Sequence, residues 1–383
     1  MSYPNMQNTF HCGGIDFASN TRVLIIAELG TSHGGSLEKA KALINAACDC
    51  GADAVKFQIV YADEILHPKT GLVALPTGNI SLYENFKRLE VDKKFFETCA
   101  EYCEKKNILF SASPFGAKSA EELAALQPAF IKIASPELNY VQLLEQTAQQ
   151  NLPLILSSGV SRLSDIETAL TICKKFLTKD IALLHCITSY PAPEEEYNIS
   201  VLENLKKIFG VTIGISDHSK NEYLVPALSV ACGAAVIEKH FCLSNDGGGL
   251  DDPIALAPHA FSRMVTFVRA CTGLSKEACC EKLLERGFSK ERISAVLGTG
   301  EKILAPSELQ NYRRTNRSLH YMSDFKAGHR LTKHDIGILR TEKILSVGEA
   351  PALLPYFLGS VLQHEVSAGS GAKLFDIINR ESL

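Results

Sequence analysis

Residues 211–240 read Val-Thr-Ile-Gly-Ile-Ser-Asp-His-Ser-Lys-Asn-Glu-Tyr-Leu-Val-Pro-Ala-Leu-Ser-Val-Ala-Cys-Gly-Ala-Ala-Val-Ile-Glu-Lys-His, and this stretch decides the fold. Two apolar runs rich in β-branched residues end abruptly in polar side chains, at Ser216-Asp217-His218 and at Glu238-Lys239-His240. Residues 223–233, between the runs, predict an amphipathic helix. Strand, helix and strand in this order predict a right-handed βαβ unit with two parallel neighbouring strands.

The two histidines of this unit, His218 and His240, should therefore emerge at the same edge of the sheet. A single histidine after a strand is usually a structural residue. Two at matching ends of adjacent strands leave a metal site and a structural role as open alternatives.

Length and composition limit the classes of protein to which this chain can belong. A chain of 383 residues suits one large α/β unit plus a smaller one. The net charge of −4 gives no electrostatic case for binding nucleic acid or an anionic membrane. Twelve cysteines without Cys-x-x-Cys spacing, no signal segment and no run of membrane-spanning length predict a reduced, cytoplasmic protein.

The strand–helix pattern of the opening stretch repeats along most of the chain. Eight such alternations over about 240 residues predict a (β/α)8 TIM barrel. A doubly wound open sheet is the alternative, but no Gly-x-Gly-x-x-Gly follows the first strand. Residues 1–20 are expected to form a hairpin or arm that closes one end, and about 60–90 a long loop.

Two serines are predicted to begin helices. Ser36 and Ser164 are the predicted N-caps, the second with Glu167 at the capping-box position.

The domain limits are predicted from changes in composition and in the strand–helix pattern. The predicted domains are residues 1–273, the barrel with its N-terminal arm; 274–316, a helical connection and linker without assigned chemistry; and 317–383, a small β-rich domain.

Polar residues follow every predicted barrel strand, at the end where barrel enzymes keep their catalytic groups. The set comprises Glu28, Lys56, Gln58, Ser113, Lys132, Ser135, Glu137, Ser157, His185, Tyr190, Asp217, His218, Glu238 and His240. A buried strand would not otherwise end in such residues, so the pattern predicts an enzyme.

Two lysines in this set suggest an anionic substrate. Lys56 and Lys132 come from different strands and could bracket a phosphate or carboxylate. Alternatively, one lysine neutralises Glu28 or Glu137. A metal on the two histidines would polarise a carbonyl oxygen, with the glutamates as acid, base or electrostatic stabiliser. The reaction class that this predicts is addition of a carbon nucleophile to an aldehyde, with a phosphorylated partner.

Five motifs in order along the chain resemble the sialic acid synthase family. They are residues 26–30 (Ile-Ala-Glu-Leu-Gly), 51–58 (Gly-Ala-Asp-Ala-Val-Lys-Phe-Gln), 132–137 (Lys-Ile-Ala-Ser-Pro-Glu), 216–219 (Ser-Asp-His-Ser) and 238–241 (Glu-Lys-His-Phe). Residues 317–319, 324–329 and 358–359 are similar to the family's C-terminal antifreeze-like (SAF, β-clip) domain. The resemblance implies a TIM barrel plus this domain. It also implies condensation of phosphoenolpyruvate with N-acetylmannosamine or a related amino sugar to a nonulosonic acid and phosphate.

The resemblance also implies roles for individual residues. His218 and His240 match the metal ligands, with Mn²⁺ as the expected ion and Mg²⁺ or Co²⁺ as alternatives, and Glu28 and Glu137 match catalytic carboxylates. Positions around phosphoenolpyruvate and the sugar are matched by Lys56, Gln58, Asn79, Ser113, Lys132, Ser135, Ser157, Tyr190, Ser216, Asp251 and Arg340. The expected assembly is a domain-swapped homodimer, in which Arg340 of one subunit reaches the sugar's N-acyl group in the other.

Two departures from the family pattern bear on the sugar. Ser32 stands where the family usually has asparagine, and Arg340 is followed by Thr-Glu-Lys instead of proline. They favour a modified amino sugar of the legionaminic, pseudaminic or spore-coat type over N-acetylmannosamine itself. Two other functions stay open: a Schiff-base aldolase using Lys56 or Lys132, and an inactive paralogue that binds a saccharide or protein.

Overall fold

Parallel strands with surrounding helices make up the larger part of the chain. The computed structural model describes residues 9–75, 78–178, 180–342 and 344–378. Within these ranges the strands are β1 (Phe10–Cys12), β2 (Ile15–Phe17), β3 (Leu24–Gly30), β4 (Ala54–Ile59), β5 (Leu72–Leu75), β6 (Gly78–Ser81), β7 (Leu109–Pro114), β8 (Phe130–Ile133), β9 (Leu154–Ser157), β10 (Ile181–Cys186), β11 (Thr212–Asp217), β12 (Val236–His240), β13 (Arg317–Tyr321) and β14 (Ile336–Arg340).

The α-helices of the same ranges lie mostly between barrel strands. They are α1 (Leu37–Asp49), α2 (Ala62–Ile65), α3 (Leu82–Leu89), α4 (Lys93–Lys105), α5 (Ala117–Ala125), α6 (Val141–Ala148), α7 (Leu163–Lys175), α8 (Val201–Phe209), α9 (Leu224–Ala231), α10 (Pro258–Cys271), α11 (Lys276–Glu285), α12 (Lys290–Leu297) and α13 (Leu354–Phe357).

The eight strands of the larger unit close on themselves in the order β10-β11-β12-β3-β4-β7-β8-β9. The decisive unit β11–α9–β12 is parallel, with Gly214 opposite Val236 and Asp217 opposite Lys239. Strand β12 also pairs with β3, which closes the ring. The predicted (β/α)8 barrel is therefore confirmed, and the open-sheet alternative is wrong.

Successive side chains along the barrel strands point alternately outward and inward, which divides the core into two parts. Residues such as Ile25, Val55 and Ile237 point outward and pack under the helices, whereas their neighbours fill the barrel interior. The hairpin β1–β2 covers the amino-terminal end of the barrel, where Phe10 and Phe17 join the interior cluster. This is the closing hairpin expected from residues 1–20, of which 1–8 lie outside the described residues.

Two local expectations are refined by the structure. The long loop expected at about 60–90 contains α2, α3 and the β5–β6 hairpin. Ser36 caps α1 and accepts the Lys39 amide, as predicted. The cap assigned to Ser164 is wrong: α7 begins two residues earlier, because the Asp165 carboxylate accepts the backbone N–H of Arg162.

Beyond the barrel, α11 and α12 form the connecting pair of helices, and a small β-rich unit follows. Strands β13 and β14 pair in antiparallel register, and Leu319, Tyr321 and Phe357 belong to the unit's own apolar core. Other pairings in this unit are single bridges, such as Phe325 with Val366. All twelve cysteines are free. Within the described ranges, no helix combines the length and apolar character needed to cross a bilayer.

Candidate active site

A layer of polar side chains lines the barrel interior at the carboxyl ends of the strands. Leu24 and Ile26 of β3 face the interior, so Glu28, two residues further on, faces it as well. The same alternation places one or more polar residues inward from each of several strands. The buried members of this layer are Glu28, Lys56, Ser113, Lys132, Ser157, Ser216 and Glu238.

The first ion pair of the layer joins β3 and β4. Lys56 Nζ lies 2.6 Å from Glu28 Oε2 and donates to Ser113 Oγ at 3.1 Å. Gln58 Nε2 donates to the other carboxylate oxygen of Glu28 at 2.7 Å. Burial raises the pKa of Glu28 to about 7, although Lys56 opposes the shift. Lys56 therefore neutralises Glu28 in this structure, and this contact leaves its binding of an anion open.

A second carboxylate, Glu238, lies between both lysines. Its Oε1 is 3.6 Å from Lys132 Nζ and accepts the Ser216 hydroxyl at 2.8 Å, and its Oε2 is 3.9 Å from Lys56 Nζ. Burial would raise the pKa of Glu238, but the two lysines outweigh it and lower the pKa. The sequence placed Glu238 among the polar residues that follow the strands, but the family resemblance assigned it no role. Its spacing of two from His240, which faces the same side of β12, is the signal that could have marked it as part of the site.

The two histidines meet above this layer. The ring centroids of His218 and His240 are 5.3 Å apart at the ends of adjacent strands. His218 Nδ1 lies 2.7 Å from the carbonyl oxygen of Ile187, so Nδ1 carries a proton, and Nε2 is the nitrogen that could bind a metal when the ring is neutral. A carbonyl acceptor of this kind commonly orients a metal-binding imidazole. Burial and the nearby His218 lower the pKa of His240 well below its ordinary value, which favours the neutral, ligating form.

A cysteine beside the first histidine favours its protonation. Cys186 Sγ lies 3.8 Å from His218 Nδ1. Burial lowers the pKa of His218, but Cys186 more than offsets this effect and raises the pKa to about 9. A cation bound at His218 would therefore compete with a proton. Neutral imidazole at His240, and Nε2 of His218 once a cation displaces its proton, fit a two-histidine metal site with further positions for water or substrate.

Aromatic and acidic side chains surround the histidines. The Tyr190 ring stacks on His218 with centroids 4.3 Å apart, and the Tyr190 hydroxyphenyl is about half exposed. Asp251 Oδ2 lies 3.6 Å from His240 Nδ1. Burial raises the pKa of Asp251 to about 6. These contacts place Tyr190 and Asp251 at the open side of the histidine pair.

The predicted catalytic residue Glu137 contacts the second domain. Its Oε1 accepts from Arg317 Nε at 3.1 Å and from Arg340 Nη2 at 2.7 Å. Glu137 and Arg317 are fully buried, and Arg317 also donates to the Phe115 carbonyl. The arginine predicted to come from a second subunit thus reaches the barrel mouth of its own chain in this structure.

The remaining predicted residues divide between the mouth and its surroundings. Ser135 Oγ accepts the amide N–H of Gly159 at 3.0 Å, beside the turn that follows Ser157. Ser157 Oγ is buried and has no hydrogen-bond partner among the described residues. Asn79 lies on the β5–β6 hairpin, where it is exposed.

Two residues placed at the mouth by the sequence do not face it. His185 points out of the barrel, and its Nε2 lies 2.7 Å from the Tyr197 carbonyl. Asp217 also points outward and pairs with Lys239, with 2.6 Å between Oδ2 and Nζ. Both predictions are wrong because these residues occupy the outward positions of β10 and β11, one residue from inward-facing neighbours.

The fold and the site together define a class of protein. A closed barrel of eight parallel strands with ionisable side chains converging at their carboxyl ends is the architecture of a (β/α)8-barrel enzyme. The family model described as the NeuB family matches residues 43–278. The chain belongs to the NeuB family.

Named relatives agree with this assignment over most of their length. The spore coat polysaccharide biosynthesis protein SpsE of Bacillus subtilis is 31% identical over 368 residues, which cover 94% of this chain and 95% of the relative. An N,N'-diacetyllegionaminic acid synthase of Legionella pneumophila is 31% identical, covering 92% and 94%. The crystal structure of B. subtilis SpsE superposes with a TM-score of 0.82 at 29% identity, covering 97% and 99%. The predicted membership of the sialic acid synthase family, a family of enzymes, is confirmed.

Proposed function

We propose that this chain condenses phosphoenolpyruvate with the aldehyde form of an N-acylated amino sugar, giving a nonulosonic acid and phosphate with the help of a divalent metal ion. One observation carries the proposal. The His218 and His240 rings lie 5.3 Å apart directly above a buried layer of two lysines and two carboxylates. The name of the Legionella relative, a legionaminic acid synthase, supports the same reaction class.

The metal would be held by His218 and His240, with Mn²⁺ as the proposed ion. A bound divalent cation supplies Lewis-acid polarisation of the acceptor's carbonyl oxygen. Among the described residues, no group of three or more histidine, cysteine or acidic side chains is placed to hold a metal ion, so the protein would supply two ligands. The remaining coordination positions would then belong to water and to the substrate.

Phosphoenolpyruvate would bind on the polar layer. Lys56 and Lys132 reach the layer from different strands, and each is buried beside Glu238. An anion entering here gains two buried cations, and the hydroxyls of Ser113, Ser135, Ser157 and Ser216 can donate to its oxygens. The raised pKa of Glu28 lowers the negative charge that such an anion would meet near neutral pH.

The proposed reaction forms one carbon–carbon bond, and at C2 it forms one carbon–oxygen bond and breaks another. C3 of phosphoenolpyruvate bonds to the aldehyde carbon and a water oxygen adds at C2. The C2–O bond to phosphate then breaks, the C2 hydroxyl proton leaves with the phosphate, and C2 becomes a ketone. Glu28, with a pKa near 7, can take the proton that the water loses and return it to the aldehyde oxygen. Lys56, 2.6 Å from Glu28, stabilises the carboxylate form during this exchange. Glu137, the second carboxylate predicted to be catalytic, would act beside phosphoenolpyruvate.

The acceptor sugar would bind at the open side, beside Tyr190, Gln58 and Asp251. Tyr190 offers a half-exposed aromatic face, and Asp251 accepts hydrogen bonds near His240. Arg340 at the mouth would contact the N-acyl group, and Asn79 would reach the sugar from its hairpin. The departures at Ser32 and after Arg340 favour a modified sugar of the legionaminic, pseudaminic or spore-coat type.

The β-rich unit that begins at Arg317 would act as an antifreeze-like (SAF) lid. In this structure it lies on its own barrel through Arg317 and Arg340. In solution we propose a homodimer in which the units are exchanged between subunits, so that the same contacts form between chains.

The activity is tested by following phosphate release from purified full-length protein. Phosphoenolpyruvate, Mn²⁺ and a panel of N-acylated hexosamines are supplied together and with each component omitted. Release is expected only with all three, and a chelator should abolish it. Release that persists after chelation, or no release with any sugar, would reject the proposal.

A Schiff-base aldolase is the second candidate, favoured by one observation. Burial lowers the pKa of Lys132 despite the nearby Glu238, and an unprotonated amine is what imine formation requires. Borohydride treatment with a pyruvyl substrate should then add mass permanently to a lysine. Absence of an adduct by mass spectrometry would eliminate this candidate.

A further inference from the structure

The segment that joins the connecting helices to the second domain is bound to the barrel. Residues 298–309 follow α12 and pass across loops that leave the carboxyl ends of the strands. Gly300 donates its amide N–H to Asn198 Oδ1 at 2.6 Å, and Ser307 Oγ donates to Glu196 Oε2 at 2.6 Å. The segment is therefore fixed against the barrel at both ends.

One buried carboxylate of this segment reaches between two barrel loops. Glu308 is 1% exposed. Its Oε1 accepts the backbone N–H of Val160 at 2.7 Å and that of Thr188 at 2.8 Å. Val160 follows β9 and Thr188 follows β10, so a single oxygen links the loops of two adjacent strands. Backbone donors to a buried carboxylate form charge-assisted hydrogen bonds, which are stronger than neutral ones.

The residue held by Glu308 has an unusual backbone. Val160 is fully buried with φ = +42°, a left-handed conformation that β-branched residues rarely adopt. Its carbonyl oxygen accepts from Asn316 Nδ2 at 3.2 Å. Both polar backbone groups of Val160 are thus bound by side chains that lie between α12 and the second domain, Glu308 and Asn316. Such a conformation persists only where its surroundings impose it.

The turn that precedes Val160 belongs to the proposed substrate site. Ser157 Oγ is buried without a partner among the described residues, and the Gly159 amide donates to Ser135 Oγ. A side chain on Gly159 would collide with Thr188 and Ser135. The turn is therefore closely packed, and a change in the backbone of Val160 would move the Ser157 hydroxyl.

From these contacts we infer that Glu308 is a positioning residue. By holding Val160 in its left-handed conformation, it presets the turn at residues 157–160 to receive the anionic groups of phosphoenolpyruvate. The inference rests on the proposed function, because that function assigns Ser157 to this substrate. The connection at 274–316, to which the sequence assigned no chemistry, would then control substrate binding without touching the substrate.

The test compares variants of the full-length protein by calorimetric titration with phosphoenolpyruvate and by steady-state kinetics. Glu308→Ala should raise the Kd and the KM for phosphoenolpyruvate at least tenfold, while kcat changes less than threefold. Glu308→Gln keeps the shape and one acceptor oxygen and should show a smaller rise of about threefold. Glu301→Gln, an exposed change on the same segment, is the matched control and should bind as the wild type does.

A second variant separates positioning from general loss of structure. Glycine adopts positive φ without strain, so adding Val160→Gly to Glu308→Ala should recover most of the lost affinity. Wild-type affinity in Glu308→Ala, or no recovery in the double variant, would overturn the inference. Should Glu308→Ala not fold, unchanged KM in Glu308→Gln would overturn it. Failure of the wild type itself to bind phosphoenolpyruvate would reject the proposed function, which is a distinguishable result.

Discussion

Glu238 is the charge that allows two lysines to be buried in one small layer. It lies within 4 Å of Lys56 and Lys132 and has the Ser216 hydroxyl as a further partner. Two ammonium groups without this carboxylate would repel one another in a poorly solvated interior. An anionic substrate can supply part of the negative charge that balances the two lysines. The same polar layer therefore contributes both to stability and to substrate binding.

Glu238→Gln should therefore destabilise the protein and make it depend on anions. We expect a loss of about 3 kcal/mol or more in the free energy of unfolding, because two buried cations lose a counter-charge. Added phosphate should raise the melting temperature of the variant more than that of the wild type. The control is Glu281→Gln on an exposed helix face. Equal stability of variant and wild type in denaturant titrations would show that Glu238 does not balance the lysines.

His320 gives the second domain a pH-dependent stability. Burial lowers its pKa to about 4, from an ordinary value of 6.5. The unfolded chain then binds more protons between these values, so stability is complete above pH 6.5 and falls as pH drops toward 4. From pH 7 to pH 5 this histidine should cost about 2 kcal/mol.

Urea titrations at pH 7 and pH 5 check this effect. His320→Gln should show a smaller loss between the two pH values than the wild type. His334→Gln, in the same domain but exposed, should behave as the wild type does. An unchanged pH dependence in His320→Gln would contradict the assignment.

At the scale of single residues, the sequence indicated which side chains gather but not all of their partners. Glu28, Lys56, Lys132 and the two histidines were found because polar residues end each apolar run. The inward and outward positions were not separated, so Asp217 and His185 were misplaced and Glu238 was given no role. Alternation within β10, β11 and β12 contains that information once one inward residue is known.

Among the elements, the hairpin β1–β2 has a purely structural role. Phe10 is fully buried and its ring meets Phe130 edge-on, with centroids 6.4 Å apart, inside the amino-terminal end of the barrel. The hairpin thus closes the end of the barrel opposite the site, where the interior is apolar. Among the described residues, this apolar cluster separates the polar layer from the amino-terminal end, so the layer opens toward the carboxyl-terminal face.

Phe10→Ala should reduce the free energy of unfolding by about 3–5 kcal/mol, because a large cavity would remain at the barrel floor. Leu72→Ala, at an exposed position, is the control and should change stability by less than about 0.5 kcal/mol. Denaturant titration of both variants measures the difference. A similar small effect for both would show that the hairpin does not contribute to the core.

The elements themselves were largely predictable, and their ends were less so. Buried strands of four to seven residues stand out as apolar runs, and all eight were found. The start of α7 was missed because Asp165, and not Ser164, satisfies the first free amide. Several side chains near a helix start can serve as caps, and only the backbone geometry selects one.

In the whole molecule, the second domain is joined to the barrel mouth by a buried cluster of charges. Arg317 and Arg340 share Glu137 Oε1, and Asn139 binds both the amide and the carbonyl of Arg317. This cluster closes one side of the site. Glu137 and Arg317 are 180 positions apart, so their pairing could not be predicted without the fold.

Glu137→Gln should loosen this contact, because two arginines would lose their shared counter-ion. Hydrogen exchange followed by mass spectrometry should show faster exchange in β13 and β14, with the barrel strands unchanged. The exposed Glu365→Gln is the control for a surface ion pair in the same domain. Identical exchange in Glu137→Gln and the wild type would contradict the role of this cluster.

The central claim is that His218 and His240 together hold the metal on which the condensation depends. Electron paramagnetic resonance titration of the full-length protein with Mn²⁺ tests it most directly, alongside the variants His218→Asn and His240→Asn. We predict one tightly bound Mn²⁺ per chain in the wild type, and at least tenfold weaker binding with loss of phosphate release in each variant. Equal binding in wild type and variants, or phosphate release by the wild type without any bound metal, would contradict the account.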